Sequence, residues 1–156
     1  MANRIELVGE NIVVRTFMIS DARDLQRNIN DKAIVRYTVS IPHPYSINDA
    51  LEYIRKTSRK NKKKTGDSFG IALKETGHII GGIGFHRVDL DNRNAELGYW
   101  LGKKYWGHKI TPEAVGLMLK FGFEELGLHR IYAKVFNENF ASRRVLEKSG
   151  FLLEEF

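Results

Sequence analysis

AELGYWLGKKYWGHKITPEAVGLMLKFGFEE, residues 95 to 125, passes from strand to basic loop to helix, and its reading decides the fold. Ala95, Leu97, Tyr99 and Leu101 alternate with Glu96, Gly98 and Trp100, the period-2 pattern of a strand with large side chains on both faces. A buried strand is predicted. Gly102 and Gly107 then bracket Lys103, Lys104 and an aromatic pair. Thr111, Pro112 and Glu113 read as a helix start: a capping hydroxyl, a proline whose missing N–H costs nothing there, and an early acid. The helix is expected to run to about Gly127. Its first amide N–H groups lack intrahelical partners and, with the positive end of the helix dipole, point at the 103–109 loop, a place suited to phosphate.

Working outward, 156 residues predict a single domain over 1–156, large enough to bury roughly 70% of its unfolded-chain surface. Hydrophobic residues at 42% and charged residues at 28% are ordinary globular values, and no apolar run approaches the ~20 residues of a membrane span. The N-terminus MANRIELVGENIVV lacks the charged-then-apolar build of a signal peptide, and zero Cys removes disulfides, thiolate metal sites and thiol nucleophiles together. A soluble, cytoplasmic protein without membrane contact is expected. The net charge of +6 suits an anionic ligand or nucleic-acid-rich surroundings, and equally an ordinary solvated surface.

In chain order, Ile5 to Leu7 and Ile12 to Arg15 read as one kinked strand or a hairpin. Ser20 and Asp21 cap a first helix to about Ile29, Asp31 to Tyr37 gives a short second turn, and Ser46 starts a helix that dissolves into RKNKKK at 59–64. SFGIALKE (68–75) and HIIGGIGFHRV (78–88) lead through the 89–94 connection to the central strand as an antiparallel meander. A strand from Arg130 to Phe136, a helix from Asn139 ending at Gly150, and a last strand from Phe151 to Phe156 complete the prediction.

Several motif matches weaken on inspection. GDSFG at 66–70 fits G-x-S-x-G, but a nucleophile elbow needs a strand before the serine and a helix after it, and here the order is reversed. GKKYWGHKIT misses the phosphate-binding P-loop because His108 stands where lysine must be and Lys109 where Ser or Thr must hold magnesium. The five histidines form no ligand spacing, so no metal is expected. The lysine run has no interleaved aromatics to stack bases.

ELGYWLGKKYWGHKITPEA, followed by FGFEELGLHRIYAKVFNENFASRRVLEKSGF, resembles the GNAT superfamily of acetyl-CoA-dependent N-acetyltransferases, and among them the ribosomal-protein N-terminal acetyltransferase (RimJ/RimL-like) branch. The resemblance covers nearly the whole chain, including the strand start at Arg15, and N-x-x-S-x-x-V-L-E-K-x-G-F from Asn139 to Phe151 is its most specific part. It implies an α/β (α+β) fold with a mixed, mostly antiparallel sheet flanked by helices. The fourth and fifth strands splay apart, so that the pantetheine arm of acetyl-CoA lies along the fourth like an added strand. Family members continue about twenty residues beyond Gly150-Phe151 into a further strand that inserts between the fifth and sixth. The chain is therefore expected to be short at its C-terminus, or completed by another subunit in a homodimer.

Carried over by position, the pyrophosphate loop falls on Lys104, Gly107 and Lys109, with Trp106, His108 and Ile110 as the remaining cofactor-binding positions around it. Lys109 departs from a small residue. If positive φ is required there, strain of roughly 1 kcal/mol follows. The oxyanion donor implied is a backbone N–H near Tyr99, Trp100 or Leu101, and the aromatic side chains of Tyr99, Trp100, Tyr105 and Trp106 either wall the cofactor or fill the core. Glu96 is the candidate general base, or else a structural carboxylate paired with a nearby Arg or exposed at the sheet. Leu146 replaces the tyrosine acid of other superfamily members, as it does in the resembled branch. Ser142 becomes the candidate donor to the departing thiolate and Asn139 the contact to the pantetheine amide, unless Asn139 merely caps its helix and Ser142 satisfies itself on that first turn. The acceptor implied is a primary amine such as a protein α-amine. Polyamines, antibiotics, or a catalytically silent CoA-sensing or RNA- or ribosome-binding role remain open.

Overall fold

The computed structural model describes residues 4–35, 41–61, 68–135 and 139–154. Strands β1 (Glu6–Val8) and β2 (Ile12–Arg15) form a hairpin. Helices α1 (Ala22–Ile29), α2 (Lys32–Val35) and α3 (Ile47–Asn61) follow. The meander β3 (Phe69–Leu73), β4 (Ile79–Asp89) and β5 (Asn94–Leu101) comes next. Helix α4 (Ile110–Lys120) runs on into a wider turn, Phe121–Glu125, before β6 (Arg130–Tyr132) and α5 (Phe140–Lys148). The six strands lie side by side in chain order. Every pairing is antiparallel except β5 with β6, which is parallel.

Both faces of this sheet are covered, which explains why β4 and β5 carry apolar residues in near-continuous runs. Ala95, Leu97 and Leu101, with Phe85 and Ile83 of β4, pack against Ala114, Val115 and Met118 of α4 and Leu146 of α5. On the opposite face Leu25 and Ile29 of α1 meet Ala50 and Ile54 of α3, with Trp100 packed alongside. The alternation read in the central strand therefore assigns Tyr99 to the α4/α5 face, and Glu96, Gly98 and Trp100 to the α1/α3 face.

The turn from β2 into α1 is fixed by a buried charge pair. Arg15 donates to both carboxylate oxygens of Asp21, at 2.8 and 2.9 Å, and to the Gly77 carbonyl at 3.2 Å. The same carboxylate accepts the Met18 N–H at 2.7 Å, so Asp21 opens the helical turn as well as neutralising Arg15. Ser46 and Asp49 exchange side-chain-to-backbone bonds ahead of α3, the reciprocal capping pattern.

Three expectations change. Helix α4 begins at Ile110 with Lys109 as its N-cap, so Thr111 lies inside the first turn. Strand β6 ends at Tyr132, and the remaining expected strand residues are not extended pairs or, at 136, lie outside the described residues. Residues 151–154 form no strand; Phe151 instead turns back, its N–H bonding the Leu146 carbonyl at 3.0 Å as Gly150 takes φ +94. The run at 62–64 and Tyr37 also lie outside the described residues.

Candidate active site

The parallel pairing of β5 and β6 holds only for Asn94↔Arg130, Ala95↔Ile131 and Glu96↔Tyr132. With the N-terminal hairpin contributing an extra strand, this is the pair expected to splay. Beyond Glu96, β5 continues to Leu101 bonded to β4 alone among the described residues. Strand geometry says which groups face the gap. The Gly102 N–H bonds the Ile80 carbonyl of β4, and backbone groups alternate sides along a strand. The N–H and C=O of Leu97 and Tyr99, and the Leu101 N–H, therefore point into the opening, while those of Trp100 are spent on β4. The Leu101 carbonyl accepts the Trp106 indole N–H at 2.7 Å. An extended amide-containing chain can pair with this edge as an added strand.

Two side-chain groups flank the opening from opposite faces. On the α1/α3 face Glu96 is largely buried at 18% exposure, with the Lys134 ammonium 4.0 Å from its carboxylate. On the α4/α5 face the Tyr99 hydroxyl meets the Ser142 hydroxyl in a short hydrogen bond. Burial pushes the Tyr99 phenol up, with the bond to Ser142 opposing, so it stays protonated at neutral pH. Asn139 Oδ1 accepts the Ser142 N–H at 3.3 Å and so caps α5, which leaves the Asn139 amide N–H₂ for another partner. Leu146 is buried in the core and offers no proton.

The loop from β5 to α4 closes one end of the opening. It holds a single 3-10 turn, Lys103–Tyr105, then Gly107 at φ +81 and Lys109 at φ +61, ψ +20. The positive φ at Lys109 is where the sequence pattern has a small residue. Among the described residues no side chain caps the α4 N-terminus, and the acid of its first turn, Glu113, is committed elsewhere: its carboxylate accepts the backbone N–H groups of Asn11 and Ile12 at 3.0 Å each. The amides at the start of α4 and the turn of positive-φ residues give backbone donors that fit a pyrophosphate, in a loop that carries lysines at 103, 104 and 109. Trp106 and His108 are exposed here, while Ile110 and Leu101 are buried and present only backbone. Lys104 lies 5.9 Å from the Tyr105 ring centre and, with Lys103, Arg27 and His78, lines a pocket of about 320 Å³ beside α1.

Residues 11–152 match the family model described as "Acetyltransferase (GNAT) domain". The chain belongs to the GNAT acetyltransferase family. A Bacillus subtilis protein provisionally named a ribosomal N-acetyltransferase, YdaF, is 35% identical over 94% of this chain and 81% of its own length. A GNAT-family acetyltransferase from Bacillus anthracis superposes with a TM-score of 0.82 at 26% identity, covering 94% of this chain and 82% of that one. RimL, a ribosomal L7/L12 α-N-protein acetyltransferase solved with coenzyme A, shares the fold at TM-score 0.86 and 18% identity, over 97% and 86% of the two chains. The GNAT co-substrate is acetyl-CoA, and the loop and the open β5 edge fit its pyrophosphate and its pantetheine amides. Among the described residues no group of three or more metal-ligating side chains converges, and no helix is long and apolar enough to cross a membrane.

The GNAT pattern alone points to neither Lys134 nor His86. Lys134 lies past the end of β6, where sequence gives no contact with Glu96. His86 stands directly opposite Glu96 in the β4–β5 register. Counting back from the 90–93 turn would have indicated the pair, but a register shift after His86 disturbs the count.

Proposed function

We propose that this acetyltransferase moves acetyl from acetyl-CoA to the α-amine of a protein N-terminus, ribosomal proteins being the acceptor class suggested by the relative YdaF. The observation that carries the reading is the open β5 edge, with Glu96 on one face and the Tyr99–Ser142 pair on the other. Pantetheine amides pair with the edge groups of Leu97 and Tyr99, and Asn139 uses its free amide N–H₂ on the same arm. Lys104, Gly107 and Lys109, with the amides at the start of α4, hold the pyrophosphate.

Glu96 takes a proton from the attacking amine, directly or through one water. The Tyr99 or Leu101 N–H stabilises the oxyanion, and Ser142, backed by Tyr99, returns a proton to the departing thiolate. An α-amine with pKa near 8 is roughly a tenth neutral at pH 7, whereas a lysine at about 10.4 is neutral in under a thousandth of molecules, so a modest base suits N-termini.

The test is mass spectrometry of acetyl transfer to peptides with free Ala or Ser N-termini, to a peptide with a blocked N-terminus and an internal Lys, and to spermidine. Acetylation of the free N-termini is expected. Glu96→Gln is expected to abolish turnover while calorimetry still detects acetyl-CoA binding. Transfer to spermidine alone would replace the protein acceptor with a small amine. Binding without any transfer would favour a cofactor-sensing role.

A further inference from the structure

On the α1/α3 face, β4 and β5 exchange side chains across glycines. His86 and Glu96 form a directly opposed pair, an arrangement that sets Cβ atoms roughly 4.5–5.5 Å apart. The His86 imidazole leans across onto β5: a Cβ at Gly98 would lie 2.6 Å from its Nε2. In return the Trp100 indole leans across Gly82 of β4. Between them Gly84 faces Gly98, a pair without side chains. Immediately after His86 the register shifts and Arg87 takes φ +50, a distortion of the kind that re-aims side chains beside functional sites. His86 is exposed and makes no ion pair among the described residues, whereas Glu96 has Lys134 beside it.

A primary amine poised to attack has a lone pair and two N–H bonds. Holding both N–H bonds on the other side, which takes two acceptors, turns the lone pair onto the thioester carbon. Glu96 supplies one. We propose that His86 supplies the second, an imidazole nitrogen accepting the N–H that survives in the product, which makes it an acceptor-orienting residue selective for primary amines.

The inference rests on Glu96 facing the acceptor. It gives a complete balance. The nitrogen–carbon bond forms and the carbon–sulfur bond breaks. One amine proton goes to Glu96, the other stays on the amide nitrogen held by His86, and coenzyme A leaves as thiolate and gains a proton from the Tyr99–Ser142 side. The chemical class selected is the unmethylated α-amine of a peptide. A secondary amine has only one N–H, must surrender it to Glu96, and leaves His86 without a role.

The experiment compares an Ala-starting peptide with its N-methyl-Ala counterpart, and benzylamine with N-methylbenzylamine, on the wild type, His86→Leu, His86→Gln and Gly98→Ala. Wild type is expected to favour each primary amine. His86→Leu should raise the KM for the primary amine about tenfold, the size of one lost hydrogen bond, leave the acetyl-CoA KM unchanged, and erase the preference over the methylated partner. His86→Gln, whose amide oxygen can accept, should keep part of it. In Gly98→Ala the added methyl displaces the flexible imidazole tip, so that variant should behave like His86→Leu. A preference that persists in His86→Leu, or a change in acetyl-CoA KM instead, would overturn the assignment. Should the peptides fail as acceptors while benzylamine turns over, the protein-acceptor reading falls and the benzylamine pair still decides His86. Absence of turnover with every amine would overturn both.

Discussion

The Tyr99 hydroxyl reaches across from β5 to α5 and hydrogen-bonds the Ser142 side chain, with the Ser142 carbonyl a further 3.3 Å contact. In the proposed mechanism these two hydroxyls in series are a proton wire whose serine end serves the departing thiolate. Tyr99→Phe keeps the ring in the core and cuts the wire. Its kcat is expected to fall about a hundredfold, the lower end for loss of general acid catalysis, with calorimetric acetyl-CoA affinity within about twofold of wild type, near the 0.5 kcal/mol expected of a change that leaves binding contacts in place. Equal kcat in Tyr99→Phe and wild type would assign the tyrosine to packing alone.

The Arg15–Asp21 pair is a stability element, buried at 6 and 4% exposure. Asp21→Asn retains an acceptor for the Met18 N–H but leaves the guanidinium without a counter-charge. Removing one member of a buried pair costs about 3–5 kcal/mol, so the urea midpoint should drop sharply. The double variant Arg15→Met with Asp21→Asn should recover much of that loss. A double variant as unstable as Asp21→Asn alone would show that the charge is not what the pair contributes.

Among the described residues, burial raises the phenol pKa of Tyr45, Tyr53 and Tyr99. Tyr45 gains further from the neighbouring Tyr53 and Asp49, while Ser68 and Ser142 partly oppose the shifts at Tyr53 and Tyr99. The folded state thus binds these protons more tightly than the unfolded chain, where a phenol titrates near 10. Stability from this source is complete below about pH 10 and is lost as pH rises through the folded values. Thermal unfolding should show a Tm that falls steeply above about pH 10, and Tyr53→Phe should flatten the fall. An unchanged slope in Tyr53→Phe would locate the alkaline sensitivity elsewhere.

The parts legible in the sequence were those fixed by period and local chemistry. The alternation of residues 95–101 assigned both faces of β5, and N-x-x-S announced a cap that Asn139 makes on Ser142. What escaped depends on distance along the chain. Glu113 read as the early acid of a helix start, yet its carboxylate fastens the β1–β2 turn through Asn11, 102 residues away. Thr111-Pro112 looked like a helix start because those residues favour first turns generally. The real start is earlier, where Lys109 takes a left-handed conformation that no propensity assigns to lysine. The last strand was expected from Phe151 onward, where apolar residues suit a strand, but Leu152 at 90% exposure has no neighbour to pair with among the described residues.

Lys109 separates stability from binding. Its φ of +61 costs a non-glycine residue, about 1–2 kcal/mol, whereas glycine at the same place gives back about 0.5–1 kcal/mol through the freedom of the unfolded chain. Lys109→Gly should therefore stabilise the fold by roughly 0.5–1 kcal/mol by this difference. In the proposed site, however, its ammonium pairs with the pyrophosphate held at the start of α4, and a charge-assisted bond lost there weakens binding by about tenfold at low salt. The variant is expected to melt higher, to bind acetyl-CoA less tightly, and to show a shallower dependence of affinity on salt, since one fewer cation meets the phosphates. Tighter binding by Lys109→Gly, with the salt dependence unchanged, would mean that the lysine is tolerated in the loop and contributes nothing to holding the cofactor.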